Sequence, residues 1–252
     1  LVHSSEHIET IKNASQYARS IDSDTVCSRD SYEAAVTAVG AGMTALDGIR
    51  SGKFERAFCA VRPPGHHATP MKAMGFCLFN NIAIAARYAQ SIGYTKVMIV
   101  DFDVHHGNGT QDAFYEDDSV FYFSTHQAYT YPGTGAETER GNGTGVGYNA
   151  NFLMMPESGD EELLAIYGNE LPRCMERFQP DIILVSAGYD LHESDPLASL
   201  NITSEGIRTM VRLILDSADV PFVFFLEGGY NVDALGENVR LTLEEMLKGT
   251  SS

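Results

Sequence analysis

Five short apolar runs alternate along the chain with longer segments in which apolar positions recur at helical spacing. The runs are continuous rather than alternating in hydrophobicity, which is typical of strands covered on both faces of a parallel sheet. We therefore predict buried strands at residues 57–61, 96–102, 120–124, 181–188 and 222–228, and a weaker sixth strand at residues 147–154.

The segments between these runs predict helices. Amphipathic or alanine-rich helices are expected at residues 31–49, 80–92, 161–178, 204–218 and 232–247. Asp30 or Ser31 would cap the first of them, and Pro172 should kink the third. The alternation of strands and helices predicts an α/β fold with a mostly parallel sheet between helices.

Length and composition favour a single domain over residues 1–252. Of the 252 residues 44% are hydrophobic, and no linker, repeat or low-complexity segment interrupts the chain. No apolar run approaches the roughly 18 residues of a membrane-spanning helix, so no membrane contact is expected. Because the chain begins at Leu1 without a methionine or a signal peptide, we expect a processed or truncated product.

The charge balance limits the classes of partner. There are 17 basic and 34 acidic side chains, which give a net charge of −17. This balance argues against direct nucleic-acid binding, because such surfaces need clustered cations. An acidic surface would attract cationic substrates, although solubility alone explains the charge equally well.

The four cysteines, Cys27, Cys59, Cys77 and Cys174, lie far apart and form no CxxC pair. This spacing gives neither a zinc finger nor a disulfide framework. Cys59 lies in an apolar run, which predicts a reduced, buried thiol. We therefore expect an intracellular protein, in the cytoplasm first, with the nucleus or an organelle left open.

Residues with catalytic chemistry collect where the predicted strands end. They are His66 and His67 after the first strand, Asp101, Asp103, His105 and His106 at the second, Ser124 and His126 at the third, Asp190 after the run 181–188 and Tyr230 after the run 222–228. Buried charges need a partner, and ligands of open parallel sheets bind at the carboxyl ends of the strands. The pattern predicts one site at one edge of the sheet.

Three of these residues suit a metal ion. Asp103 and His105 are two positions apart at a strand end and so share a direction, while Asp190 arrives from another strand. Two carboxylates and one imidazole leave one coordination position open for water or substrate. Zinc fits this set best, and Fe(II), Co(II) or Mn(II) also suit its ligand chemistry.

The adjacent histidines suit proton transfer. Hydrolysis needs a base for the attacking water and an acid for the leaving group. His66 and His67 can divide these tasks if Asp101, ionised, and Asn108, neutral, orient them and move their pKa values in different directions. On a glycine-flanked turn, Tyr230 could donate its hydroxyl to a developing oxyanion.

Six motifs together resemble the histone deacetylase family. They are RPPGHHA, MGFCLFNN, DFDVHHGNGTQ, YPGTG, SAGYDLHESDPL and LEGGYN, and their order and spacing extend the resemblance over residues 1–248. The class II and bacterial-type branch, which includes acetylpolyamine amidohydrolases, is the most similar. The resemblance implies the arginase/deacetylase fold, with an eight-stranded parallel sheet between helices.

The resemblance also implies the reaction and the residue roles. The reaction is zinc-dependent hydrolysis of an acetamide on a primary amine, with release of acetate. The implied roles are zinc ligands for Asp103, His105 and Asp190; the tandem pair for His66 and His67, hydrogen-bonded to Asp101 and Asn108; carbonyl polarisation for Tyr230; the acetyl-lysine tunnel for Gly75, Phe76, Tyr131 and Leu197; and a potassium site near Asp101, Asp103, His105 and Ser124. His67 would be the main general base and acid, and His66 would act chiefly through its charge.

Three departures from the family pattern matter. Asn108 stands where some branches carry aspartate, which favours class II. Tyr230 stands where weakly active branches carry histidine, which favours turnover. Family members have a substantial segment before the equivalent of LVHSSEHI, and only six strands are visible here, so we expect part of the sheet edge and tunnel wall to be missing. The resulting unpaired edge should make the chain less stable or less active than a longer product.

Several functions remain open at this stage. The leading one is deacetylation of acetyl-lysine in histone or non-histone proteins, and its nearest rival is deacetylation of acetylpolyamines or other small amines, since rim loops choose the substrate. A ureohydrolase would need more carboxylates for two manganese ions. A catalytically silent binding module is disfavoured by the intact ligand set and Tyr230, but the missing segment favours it somewhat. The oligomeric state is left open.

Overall fold

Six strands pair in parallel to form one sheet in the computed structural model, which describes residues 1–248. The strands are β1 (Arg56–Cys59), β2 (Val97–Asp101), β3 (Val120–Gln127), β4 (Asn149–Met154), β5 (Ile182–Ala187) and β6 (Phe222–Leu226). Their order is β1-β6-β5-β2-β3-β4, so β1 and β4 form the edges. The predicted parallel α/β architecture is confirmed, including the weak sixth strand.

Seven α-helices accompany the sheet over the same residues. They are α1 (Ser5–Gln16), α2 (Ser31–Arg50), α3 (Asn81–Ser91), α4 (Asn108–Phe114), α5 (Asp160–Phe178), α6 (Ser204–Asp216) and α7 (Val232–Leu247). The five predicted helices correspond to α2, α3, α5, α6 and α7. Helix α5 continues through Pro172 as one helix.

Both faces of the sheet are covered, which explains the continuous hydrophobicity of its strands. Successive residues of a strand point to opposite faces. In β2, Met98 and Val100 join an apolar cluster with α5 and α6, whereas Val97 and Ile99 join a second cluster with α2 and α3. All five residues of β2 are buried. The carboxyl edge is therefore the part of the sheet left available for a site.

The register aligns the ends of the central strands. Asp101, the last residue of β2, pairs with Ser124 of β3 on one side and with Ser186 of β5 on the other. Strand β3 continues beyond this level, because its residues up to Gln127 pair with β4. The prediction that Ser124 and His126 end a strand is therefore wrong, since both lie inside β3.

The starts of three helices, α1, α4 and α2, differ from the sequence predictions. Helix α1 was not predicted, although Ser4 caps it by accepting a hydrogen bond from the N–H of His7. Helix α4 begins inside the stretch 100–111. Its seven residues are too few to give a periodic hydrophobic signal. Asp30 occupies the cap position of α2, but its side chain makes no capping hydrogen bond, contrary to prediction.

Two further findings bear on the sequence expectations. Over residues 1–248, no helix is both long and apolar enough to cross a membrane. The four cysteines are free thiols, and three of them, including Cys59, are buried. The expected domain of residues 1–252 includes residues 249–252, which lie outside the described part of the chain.

Candidate active site

The carboxyl ends of β2 and β5 bring three metal-ligand side chains together. Asp103 and His105 follow β2 and Asp190 follows β5, and none is more than 8% exposed. His105 Nδ1 lies 3.2 Å from Asp103 Oδ1 and 3.1 Å from Asp190 Oδ2. Neighbouring ligand atoms of a tetrahedral zinc ion with bonds of about 2.0–2.2 Å are roughly 3.3–3.6 Å apart. The donors therefore fit a divalent ion with little adjustment.

Backbone N–H groups orient both carboxylates of this cluster. Asp103 Oδ2 accepts a hydrogen bond from Gly228 N at 2.8 Å, and Asp190 Oδ1 accepts one from Val104 N at 3.0 Å. The opposite oxygen of each carboxylate is the one that lies near His105. A Cβ at Gly228 would overlap the Asp190 carboxylate. Glycine at this position is therefore what lets the turn after β6 approach the cluster.

The cluster carries more negative charge than its imidazole can balance. Burial and the charge of Asp103 raise the pKa of Asp190 to about 6. Burial opposes ionisation of Asp103, but the charge of His66 and hydrogen bonds from His105 outweigh it and hold the Asp103 pKa well below its usual range. Burial also opposes the charged form of His105, yet its bonds to the two carboxylates raise its pKa to about 10. A cation at the centre would relieve this imbalance.

The tandem histidines have different partners. His66 Nδ1 donates to Asp101 Oδ2 at 3.1 Å, and His67 Nδ1 donates to the Asn108 side-chain oxygen at 2.9 Å. Burial opposes the charge of His66, but nearby Asp103 and Asp101 outweigh it and raise its pKa to about 10. Burial and the charge of His66 hold the pKa of His67 well below its usual value. The two pKa values are therefore shifted in opposite directions, toward the imidazolium for His66 and toward the neutral ring for His67.

Asp101 is a completely buried acidic group of the site. Its side chain is 0% exposed, and burial raises its pKa, an effect that the charge of His66 opposes. The hydroxyl of Tyr122 donates to Asp101 Oδ2 at 3.0 Å, and the backbone N–H of Asp103 donates to Oδ1 at 3.2 Å. Asp101 is thus fixed by three donors and fixes His66 in turn.

Two aromatic side chains mark the entrance. Gly75 and Phe76 both have positive φ angles, of 55° and 65°, and a Cβ at Gly75 would collide with the ring of His67 and approach Tyr131. The ring of Tyr131 lies 5.1 Å from that of His67, and the ring of Phe76 lies 6.0 Å from that of Tyr230. Phe76 and Tyr131 are 39% and 38% exposed. They are therefore open to solvent on one side and contact the site on the other.

Tyr230 is held at the site by an aspartate that sequence reasoning missed. Asp195 Oδ2 accepts hydrogen bonds from the backbone N–H of Tyr230 at 2.7 Å and of Asn231 at 3.2 Å. Its other oxygen accepts from the N–H of Leu197, whose side chain is half exposed. Burial and the charges of Asp103 and Asp190 raise the pKa of Tyr230 well above its usual range. Its phenol is therefore a neutral donor.

A second pair of buried histidines lies beneath the YPGTG loop. His126 Nδ1 lies 2.9 Å from Ser124 Oγ, and its Nε2 donates to the carbonyl of Gly135 at 2.9 Å. The neighbouring His106 contacts Gln111 at 3.1 Å, and the two imidazole rings are 4.7 Å apart. Burial, first of all, lowers the pKa values of His106 to about 2 and of His126 to about 4. Two neutral imidazoles thus support the loop that carries Tyr131.

A buried glutamate, Glu227, was also missed. It lies directly after β6 and is 1% exposed. Its sequence signal is the one that identified Asp101, namely an acidic residue at the end of an apolar strand. The stretch FVFFLEGGY contains this signal, but within it a role was predicted only for Tyr230.

The family described as "Histone deacetylase domain" matches residues 1–246. The chain belongs to the histone deacetylase family. The crystal structure of the HDA15 HD domain superposes on it with a TM-score of 0.94 at 38% identity, covering 98% of this chain and 73% of that one. This likeness confirms the deacetylase fold that the six motifs implied.

Similar curated proteins include plant and archaeal members of the family. The chain is 42% identical over 266 residues to "Histone deacetylase 10, chloroplastic" of Oryza sativa subsp. japonica, covering 98% of this chain and 60% of the rice protein. It is 38% identical over 236 residues to a "Probable deacetylase" of Archaeoglobus fulgidus, covering 92% and 66% of the two chains. The chain therefore spans about three fifths to two thirds of the length of these two relatives.

Proposed function

We propose that this chain is a zinc-dependent deacetylase that hydrolyses the acetamide of acetyl-lysine in a protein and releases acetate. The observation that carries the proposal is the convergence of three buried metal ligands, one charged and one neutral histidine, and a phenol on one sheet edge. Family membership supports the same reaction.

Asp103, His105 and Asp190 would hold the zinc ion. When bound, zinc acts as a Lewis acid that polarises the acetyl carbonyl and lowers the pKa of water. Three protein ligands leave one position open, which is typical of catalytic rather than structural zinc. We assign the metal as zinc because two carboxylates and one imidazole, all buried, give the mixed oxygen and nitrogen set that it accepts.

His67 is the proposed base and acid. Since its Nδ1 donates to Asn108, Nε2 of the neutral ring has a free lone pair. His67 takes a proton from the attacking water and returns it to the nitrogen as the carbon–nitrogen bond breaks, so acetate and the free amine leave. His66, charged and held by Asp101, stabilises the negative charge that develops on the acetyl group.

Tyr230 is the proposed donor to the carbonyl oxygen. Its raised pKa keeps the proton on the phenol at neutral pH, and Asp195 fixes the backbone from which the ring projects. A donor aimed at an oxygen that gains charge contributes mainly in the transition state.

Gly75, Phe76, Tyr131 and Leu197 are the proposed walls of the acetyl-lysine tunnel. The positions of Phe76 and Tyr131 beside the active-site rings support this assignment. A linear hydroxamate should inhibit, because it would thread the tunnel and chelate the metal. Deacetylation of an acetylpolyamine is the alternative, supported by the net charge of −17, and matched assays with acetylspermidine and an acetyl-lysine peptide distinguish the two.

We also propose a structural potassium ion near Asp101, Asp103, His105 and Ser124. Asp101 and Ser124 are paired across β2 and β3 and both are completely buried, which supports a role for a cation between them. We propose that the protein is intracellular, where potassium is the main monovalent cation. Replacement of potassium by sodium or by a bulky organic cation should lower the melting temperature if this site exists.

Asp190→Ala tests the proposed metal site. The variant should lose bound zinc, measured by mass spectrometry of the metal, together with acetate release, because only two ligands remain. Asp216→Ala is the control: Asp216 is exposed at the end of α6, on the side of the sheet away from the strand ends. Stoichiometric zinc and full activity in Asp190→Ala would exclude this metal site.

A further inference from the structure

Glu227 is a fully buried carboxylate with no role in the proposed reaction. It directly follows β6 and precedes Gly228, whose N–H holds Asp103. Among residues 1–248, no lysine or arginine forms a salt bridge with it, and burial raises its pKa to about 7 although the nearby charge of His66 opposes this. Such a residue has to be explained by what it binds.

Glu227 binds the backbone of the tandem-histidine turn. Its Oε2 accepts hydrogen bonds from the N–H of Gly65 at 2.7 Å and from the N–H of His66 at 3.2 Å. Its Oε1 accepts one from the hydroxyl of Ser186 at 3.1 Å. All three partners donate, which matches a carboxylate because both of its oxygens only accept.

The opposite side of the same turn is closed. A Cβ at Gly65 would lie 2.5 Å from the backbone nitrogen of Asn81, at the start of α3. The carbonyl of His66 accepts a hydrogen bond from Thr110 N at 3.1 Å. The turn therefore lies between α3 on one side and Glu227 on the other. The hydrogen bond from Thr110 attaches it to α4 as well.

We infer that Glu227 is a positioning residue that sets the location of His66 and His67 by holding the N–H groups of Gly65 and His66. The inference rests on the proposed deacetylase reaction for its catalytic consequence. The adjoining Gly228 holds Asp103, so one turn after β6 fixes both the base and a metal ligand. Glu227 contributes by fixing the positions of His66 and His67, and not through its own charge.

Three substitutions separate position from charge. Glu227→Gln keeps the length and an acceptor oxygen for the turn, and its amide can donate to Ser186, but it removes the charge. Glu227→Asp keeps the charge but is one methylene too short to reach both N–H groups. Glu227→Ala removes both. Misplacement of a catalytic group by about 1 Å costs roughly 10²-fold in rate.

We expect kcat for acetate release to fall about threefold in Glu227→Gln and about 30- to 100-fold in Glu227→Asp and Glu227→Ala, with KM for the peptide changed less than threefold. Zinc content should stay stoichiometric. Hydrogen exchange of residues 62–70 should be faster in the Asp and Ala variants and unchanged in the Gln variant, because the released N–H groups lose their acceptor.

Glu245 provides a matched control. It is 3% exposed and lies in α7, where it accepts hydrogen bonds from Arg208 of α6 and from Lys248 at the end of α7, away from the strand ends. Glu245→Ala and Glu245→Gln should lower the melting temperature without changing kcat. This separates loss of a buried carboxylate in general from loss of the anchor of the histidine turn.

The outcomes are distinct. If Glu227→Asp keeps kcat while Glu227→Gln loses it, charge rather than position is responsible and the inference is wrong. If Glu227→Ala does not fold, the Asp and Gln variants still decide. If the wild type releases no acetate, the proposed function fails, whereas the exchange measurement still reports whether Glu227 holds the turn; unchanged exchange in Glu227→Asp overturns the inference.

Discussion

The two neighbouring imidazoles differ in charge state because they have different partners and different surroundings. His66 faces a carboxylate oxygen of Asp101, which stabilises its proton, whereas His67 faces the amide oxygen of Asn108, which offers a hydrogen bond without a full charge. The charge of His66 then depresses the pKa of His67 further. In the proposed mechanism, this pair of identical residues therefore supplies one cation and one free base.

Tyr230 should contribute only to the transition state. Tyr230→Phe removes the phenol oxygen while leaving the ring against Phe76 and the backbone bonds to Asp195. We expect kcat to fall by roughly 10²–10³, the cost of losing one oxyanion donor, about 3–4 kcal/mol. Kinetics on one acetyl-lysine peptide, with zinc content and melting temperature, test this.

Tyr131→Phe is the control for Tyr230→Phe. Tyr131 has a hydroxyl at the same entrance, and burial raises its pKa to about 12, but we assign it to the tunnel wall and not to the carbonyl oxygen. It should change KM more than kcat. A kcat for Tyr230→Phe within twofold of the wild type would remove the phenol from the mechanism.

At the scale of elements, the strands were readable from sequence and some of their surroundings were not. Continuous apolar runs are typical of strands covered on both sheet faces, so β1, β2, β3, β5 and β6 were predicted from them, whereas β4 was a weaker candidate. Helix α4 was missed because its seven residues give no periodic hydrophobic signal. The predicted end of β3 was too early, because pairing with β4 rather than local hydrophobicity determines where that strand ends. The candidate metal ligands and histidine partners were named from strand ends and motifs. Asp195 and Glu227 bind backbone N–H groups, and of the two only Glu227 had a sequence signal, as an acidic residue at the end of an apolar strand.

Helix α1 is attached to the loop before α3 by two histidines. His3 Nδ1 donates to the carbonyl of Thr69 at 3.0 Å, and its Nε2 accepts from the N–H of Asn80 at 2.8 Å. The ring of His3 stacks on His7, whose Nε2 donates to the carbonyl of Leu78 at 2.8 Å. The same loop carries Gly75 and Phe76, so this attachment supports the wall of the proposed tunnel.

The contribution of His3 to stability should depend on pH. Burial and the charge of His7 lower the pKa of His3 to about 4, below its unfolded value of about 6.5. Between these values the unfolded chain binds more protons, so stability is fully present above pH 6.5 and falls as the pH drops toward 4. We expect His3→Gln to cost about 1–2 kcal/mol at neutral pH and less in acid.

Urea unfolding at several pH values measures this change. The difference in unfolding free energy between wild type and His3→Gln should narrow as the pH is lowered. Thr10→Ala, on the exposed side of α1, is the control, because it removes no titratable group and its effect should stay constant with pH. A difference of equal size at acidic and neutral pH would show that His3 does not titrate in this range.

At the scale of the whole molecule, the excess of negative charge reaches the entrance of the site. Asp24 lines the same cavity as Phe76, so a carboxylate lies near the rim as well as among the candidate metal ligands. Besides burial, which has the larger effect, the charges of Asp24 and Asp22 raise the pKa of Tyr131. A net charge of −17 allowed two explanations, solubility and attraction of cationic substrates. The acidic rim makes the second one testable.

Salt should therefore slow the capture of cationic substrates but not their conversion. Charges separated by more than the Debye length, about 10 Å at 0.1 M salt, are largely screened. For an acetyl-lysine peptide flanked by lysines, we expect kcat/KM to fall about five- to tenfold between about 50 and 500 mM salt, with kcat unchanged, because salt weakens steering toward the acidic rim. For a peptide flanked by serine and glycine, kcat/KM should change less than twofold.

Asp24→Asn should reduce the salt dependence of kcat/KM for the cationic peptide, whereas Asp216→Asn, at the far end of α6, should not. Equal salt dependence for both peptides would leave solubility as the role of the charge, and the rim carboxylates would then have no part in choosing the substrate.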